Sequence, residues 1–216
     1  MEIKAVLFDM DGVLVDSETY YMEGTLKWMQ SIGFTGTFKD VCTLIGTTMD
    51  GTYRLIEKMM DYQYTREELE RINSQYFNVD HPIQYGQIMN PGLIELLNEI
   101  KDRGWKCAVC SSSPRVKIDP ALKECHIDSY FDYVVSGEQF TQSKPNPEIY
   151  LHAAEMLNVD VSECLVIEDS QMGIEAGKNA NMKTIGLIDR RFGLIQCSAD
   201  ILVDSLSDVL ASIKYL

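Results

Sequence analysis

Six short apolar runs recur along this chain with helical stretches between them, and no other feature of the sequence limits the fold as strongly. The first run, Lys4 to Phe8, ends in acids; KCAVC near 106–110, YFDYVVS near 130–136, CLVIED near 164–169, KTIGLI near 183–188 and DILV near 200–203 follow it. A continuous apolar run without polar alternation is how a strand covered on both faces reads. Strands of that kind, separated by helical stretches of roughly ten residues or more, predict an α/β fold built on a doubly wound parallel sheet.

The intervening helices have legible ends. Pro91-Gly92 opens LIELLNEIKDRG and Gly104 closes it, while NPEIYLHAAEMLN and DSQMGIEAGKNA read in the same way. Pro120 would break a helix running from Arg115 to Cys125, so the expectation is a short helix with Asp119 as its cap and Pro120 at its first position. Residues 17–83 differ in character: they hold no strand-like run but three helical windows, TYYMEGTLKWMQSIG, DGTYRLIEKMMDY and TREELERINSQYF. The domain expectation is therefore a core of residues 1–16 and 84–216 with an inserted helical domain at 17–83. Trp28, Met29, Met59, Met60, Tyr76 and Phe77 read as the core of that small bundle rather than as a ligand box.

Composition excludes several classes of partner. A net charge of -14 without a long run of one sign would repel a duplex phosphate backbone, so nucleic acid is not expected. The apolar stretch in MEIKAVLFDMDG is too short for a signal segment and is interrupted by acids; no other stretch approaches a membrane span, and a cytoplasmic location is expected. The six cysteines at 42, 107, 110, 125, 164 and 197 do not make a disulfide scaffold at this length. Cys107 and Cys110 form a C-x-x-C, but within a strand, where positions three apart face opposite sides; a redox or zinc role is disfavoured. His81, His126 and His152 are scattered and suggest packing or surface positions.

The chemistry gathers at strand ends. Asp9 and Asp11 leave the first strand two residues apart, on the same side, in FDMDGVLVDS. Taken alone this is also what an acidic Asp-Gly turn looks like. Glu168 and Asp169 end another buried run, where ionised carboxylates are costly unless paired, hydrated or bound to metal. An Asp169-Ser170 helix cap would account for one of the two carboxylates only. A hard divalent cation suits both pairs: magnesium could take Asp9, Asp169, a backbone carbonyl near Asp11 and a phosphate oxygen. Ser111, Ser112 and Ser113 follow CAVC with hydroxyl and N–H donors, and Lys144 precedes the helix opened by Asn146-Pro147. Singly, a serine loop and a solvated lysine are ordinary. In this order along an α/β chain they describe four loops converging on a phosphate beyond the carboxyl ends of the strands.

These motifs resemble the haloacid dehalogenase superfamily, whose pattern is D-x-D-G, a Ser/Thr strand end, a Lys and an acidic doublet. FDMDGVLVDS, SSS, SKPNPEIY and EDSQMGIEAG are similar to the branch containing β-phosphoglucomutase and the sugar-phosphate phosphatases, and the helical insertion resembles that family's small cap domain. The resemblance implies Asp9 as nucleophile and magnesium ligand, and Asp11 as general acid and base and as part of the magnesium site. It implies Ser111, Ser112 and Lys144 as phosphate-binding groups, with Glu168 and Asp169 holding the metal. β-Phosphoglucomutases carry a histidine after the first motif and a lysine and arginine in a cap loop that grip a second phosphate. Here the matching places are Tyr21, Ile45 and Met49, with Gly46 beside them in LIGTTMDGT. Their neutrality implies a phosphatase acting on a small phosphorylated metabolite such as a sugar or polyol monophosphate. A monomer or weak homodimer is expected. A phosphosugar mutase is the nearer alternative; a non-catalytic phosphate-sensing domain is the more distant one, against which the long insertion argues.

Overall fold

A computed structural model describes residues 2–45, 47–191 and 198–213. Six parallel strands form one sheet: β1 (Ala5–Phe8), β2 (Lys106–Ser111), β3 (Tyr133–Ser136), β4 (Cys164–Glu168), β5 (Lys183–Leu187) and β6 (Ile201–Val203), in the order β3-β2-β1-β4-β5-β6. The apolar runs thus become strands, with short adjustments at their ends. Tyr130 closes a 3-10 turn, Asp128–Tyr130, rather than opening β3.

The chain divides into two compact units, Met1–Asp16 with Tyr85–Leu216 and Ser17–Gln84. The second unit holds α1 (Ser17–Ser31), α2 (Phe38–Val41), α3 (Met49–Met59) and α4 (Arg66–Gln75). Thr48 caps α3 through Gly51 N, and Thr65 and Glu68 close a reciprocal capping box on α4. Trp28, Met29, Val41, Leu44, Tyr53, Ile56, Met60 and Leu69 form its core, with Met59 and Tyr76 packed against them. Phe77 packs elsewhere: it covers Gly24, where a Cβ would fall 2.6 Å from its ring, and meets Tyr20 and Tyr21. Gly46 lies outside the described residues.

The sheet unit carries α5 (Leu93–Asp102), α6 (Arg115–Glu124), α7 (Glu148–Leu157), α8 (Gln171–Asn179) and α9 (Leu206–Ile213). Helices α7 and α8 cover the face bearing Ala5, Leu7, Ala108, Cys110 and Val166. The alternate residues Val6, Phe8, Val109, Leu165 and Ile167 are fully buried as well, which explains why these strands show no polar alternation. Cys107 and Cys110 do fall on alternate positions of β2, and burial pushes both thiols up, Cys107 to about 12.

Pro120 does not start a helix. It sits inside α6, whose first bonds, Lys117 N and Ile118 N to Pro114 O, form upstream. A proline removes one bond of the ladder, and burial of Ile118, Ala121 and Leu122 along one face outweighs that loss. Asp119 then works as the i+4 partner of Arg115, at 2.7 Å, rather than as a cap.

Candidate active site

The site begins with strand register. Phe8 lies opposite Val109 in β2 and Ile167 in β4, so Asp9, one residue further, leaves the sheet level with Cys110 and Glu168. The order of connections reverses between β1 and β4, which opens a crevice at the carboxyl ends of these strands. Lys144, in the loop before α7, enters there with only 6% of its side chain exposed. Its Nζ lies 2.6 Å from Asp9 Oδ1, 2.7 Å from Glu168 Oε1 and 2.9 Å from Cys110 O. The first two contacts are charge-assisted bonds in a dry setting, and all three donors of the ammonium are used.

Glu168 is fully buried and fully engaged. Oε1 accepts from Lys144 and from Tyr150 OH at 3.0 Å; Oε2 accepts from Asp169 N, Ser170 N and Ser170 Oγ at 2.9–3.1 Å. Burial alone would raise its pKa, yet Lys144 and the Ser170 donors hold it below the usual carboxylate value. Five donors leave Glu168 the organiser of the site. Gly173 makes room for it, since a Cβ there would fall 1.7 Å from Oε1.

Asp9 and Asp169 show the opposite balance. Burial pushes Asp9 up to about 7 against the pull of Lys144, with the Glu168 and Asp11 charges adding to the rise. Burial together with Glu168 and Asp9 pushes Asp169 well above the usual range. Asp9, Glu168 and Asp169 offer oxygens within 4.8 Å of one another, the one such group among the described residues. Three clustered carboxylates facing a single lysine are short of positive charge. Their hard oxygen donors fit a small divalent cation, which would supply what Lys144 does not.

Asp11 stands apart from this group: its Oδ2 accepts from Ser113 Oγ at 2.8 Å. Two aspartates two residues apart therefore have different partners, the condition for different roles. Ser113 is placed in turn by its N–H on Ser111 Oγ at 3.0 Å and by Ser136 Oγ on its carbonyl at 2.9 Å. Ser111 is buried and tied into that loop, whereas Ser112 is exposed. Tyr21, Ile45 and Met49 belong to the helical unit, Met49 with 70% exposure at the start of α3.

A model of haloacid dehalogenase-like hydrolases matches residues 6–187. The chain belongs to that family. Within this hydrolase family it is 31% identical to the phosphorylated carbohydrates phosphatase of Thermotoga maritima, over 85% of this chain and 84% of that protein. It is 29% identical to hexitol phosphatase B of Escherichia coli, over 97% and 96%. A 36% match to the chloroplastic SUPPRESSOR OF QUENCHING 1 protein of Arabidopsis thaliana spans only 18% of that much longer protein. Among solved structures, a candidate β-phosphoglucomutase from Thermotoga maritima superposes with a TM-score of 0.81 at 30% identity, covering both chains completely. The β-phosphoglucomutase of Clostridium difficile gives 0.70 at 28%, over 99% of this chain and 96% of that one. The family and its β-phosphoglucomutase-like branch are thus those that the motifs resembled.

Several residues of this hydrolase's site carry no signal in the sequence. Tyr150 reads as one more apolar position of an amphipathic helix, although its hydroxyl anchors Glu168. Ser136 reads as the last residue of a strand and Asn90 as an ordinary loop residue. Ser170 could be read as an N-cap, and it is one, through Gly173 N at 3.0 Å; the same hydroxyl also serves Glu168. Gly173 could be suspected only because a glycine inside a helix asks for a packing reason.

Proposed function

We propose that the protein is a magnesium-dependent phosphatase that hydrolyses a small phosphomonoester, such as a sugar or polyol phosphate, through an aspartyl-phosphate on Asp9. The observation that carries this reading is the separation of the two aspartates: Asp9 is bound to Lys144 inside the carboxylate cluster, and Asp11 is bound to Ser113 outside it. The names borne by relatives support the substrate class, sugar phosphates in one case and hexitol phosphates in another.

Asp9 and Asp169 would hold the magnesium ion, with Glu168 fixing the geometry around them. When bound, the ion neutralises charge between a carboxylate and a phosphate dianion that would otherwise repel each other. Asp9 attacks phosphorus; the bond from phosphorus to the ester oxygen breaks, and Asp11 gives that oxygen its proton. Asp11, now ionised, takes a proton from water as the water attacks the aspartyl-phosphate, which restores Asp9 and releases phosphate. Lys144 keeps the Asp9 carboxylate oriented throughout, and the Ser111–Ser113 loop supplies donors to the phosphoryl oxygens.

The experiment is phosphate release from a panel of phosphorylated metabolites by wild type and Asp9→Asn. Wild type should turn over with magnesium and stop on chelation, and the amide variant should fall below about a hundredth of wild type, more than loss of a positioning contact would cost. Residual activity above that level removes Asp9 as nucleophile.

A further inference from the structure

The turn that follows Asp11 is held from outside by one side chain. Asn90 Nδ2 donates to Gly12 O at 3.0 Å and to Val13 O at 2.8 Å, using both of its amide hydrogens. Chemistry fixes this orientation, because the reversed carboxamide would set its oxygen against two carbonyls. Backbone contacts accompany it: Asn90 N donates to Leu14 O at 2.9 Å, Asp16 N donates to Ile88 O at 2.7 Å, and Val15 pairs antiparallel with Met89. Any residue at 90 except proline could make the backbone bond. Only a side chain with two donors on one atom can satisfy both Gly12 and Val13.

The segment that carries Asn90 is itself anchored on the sheet unit. Tyr85 N donates to Glu124 Oε2 at 2.9 Å, and Cys125 Sγ donates to Tyr85 O at 3.4 Å, so the return linker meets α6 at one end and the Asp11 turn at the other. Gly12 follows Asp11 directly and has φ +80°. The turn closes on itself through Gly12 N to Val15 O at 2.8 Å and Leu14 N to Met10 O at 2.8 Å, and the two Asn90 bonds fasten that closed turn to the returning linker. Asp11 has its Oδ2 on Ser113 at one side and this pinned turn at the other.

We propose that Asn90 is a positioning residue for Asp11, tying the linker that returns from the helical unit to the turn that presents the proton donor. This rests on the reading of Asp11 as general acid and base given above. Asn90 touches no reacting atom; it acts through the backbone of Gly12 and Val13.

Leaving-group dependence tests it. An alkyl phosphate needs a proton on its departing oxygen, whereas p-nitrophenolate leaves without one. In Asn90→Ala, kcat/KM for a hexitol phosphate should fall about tenfold or more, while that for p-nitrophenyl phosphate changes by less than about twofold. Asn90→Ser, with one donor left, should fall between wild type and alanine. In an Asp11→Ala background the alanine change should add nothing to the difference between the two substrates. Amide exchange at residues 12–16 should speed up in Asn90→Ala while β1 keeps its protection, which separates a loosened turn from a misfolded protein. Equal losses on both substrates, or no loss on either, overturn the positioning role alone. A wild-type protein that releases phosphate from neither overturns the phosphatase reading and this inference with it.

Discussion

Gly12 lies against Asp169 where no side chain fits: a Cβ there would fall 1.9 Å from Asp169 Oδ2 and 2.4 Å from its Cγ. The glycine also has φ +80°, a backbone region that other residues enter at a cost of about 1–3 kcal/mol. Gly12→Ala should therefore lose stability by about that amount and, by displacing the Asp169 carboxylate, weaken magnesium roughly 10–100-fold. Thermal unfolding with and without magnesium would show both effects. An alanine variant with wild-type turnover at low magnesium would rule out this account of the turn.

Lys144 compensates two carboxylates at once, and one of them, Glu168, is fully buried. Lys144→Met keeps the bulk of the stem and removes the charge, leaving Glu168 with neutral donors only. Breaking a buried pair from one side costs roughly 3–5 kcal/mol, on the order of 10 °C in Tm for a chain of this length. Activity should vanish as well, since Asp9 loses its anchor. Denaturant unfolding within 1 kcal/mol of wild type, by the same standard, would mean that Glu168 is neutralised by some other route.

The carboxylate cluster sets a pH dependence whose sign follows from the direction of each shift. Asp9 rises from 3.8 to about 7 in the folded protein and Asp169 rises too, so the folded chain holds protons that the unfolded chain releases. The Asp9 contribution to stability is complete below 3.8 and is lost as pH rises toward 7, and that of Asp169 is lost in the same direction. Glu168 runs the other way: its pKa is lowered, and its contribution is present above 4.5 and lost in acid. Magnesium requires ionised ligands, so the rise in Tm on adding it should be larger at about pH 8 than at about pH 5.5. A shift independent of pH would argue that the ion binds away from Asp9 and Asp169.

The resemblance assigns substrate choice to the helical unit, and on that reading its residues bear on hydrolysis against phosphoryl shuttling. Ile45 and Met49 are neutral, and two arginines of the helical unit already face carboxylates: Arg54 meets Asp50 at 2.9 Å, and Arg66 meets Asp50 and, at 2.8 Å, Glu70. In the sheet unit, Arg115 is held by Asp119 at 2.7 Å and by Val134 O at 3.0 Å. A second phosphate dianion without a paired cation would lose several kcal/mol in desolvation. Steady phosphate release from monophosphates is expected, without interconversion of β-glucose 1-phosphate and glucose 6-phosphate even when glucose 1,6-bisphosphate is supplied. An assay coupled to glucose-6-phosphate dehydrogenase reads this directly; mutase turnover faster than phosphate release would reverse the assignment.

What the sequence alone determined about this protein is local. Continuous apolar runs marked the six strands, and at β1, β2, β4 and β5 the reason is that a strand covered on both faces has no solvent side on which to place polar residues. Acids and a lysine at strand and helix ends marked the candidate site, because ionised groups there need a shared purpose to repay desolvation. The tertiary structure decided which groups meet. Lys144 finds Asp9 from 135 residues away, Ser113 finds Asp11 from 102, and Asn90 reaches Gly12 from 78. These pairings depend on sheet order and on the paths of the loops, which residue patterning within a single element does not encode. Pro120 follows the same rule: the local penalty of a proline in a helix is legible, but the buried face of Ile118, Ala121 and Leu122 that overrides it exists only once α6 is packed.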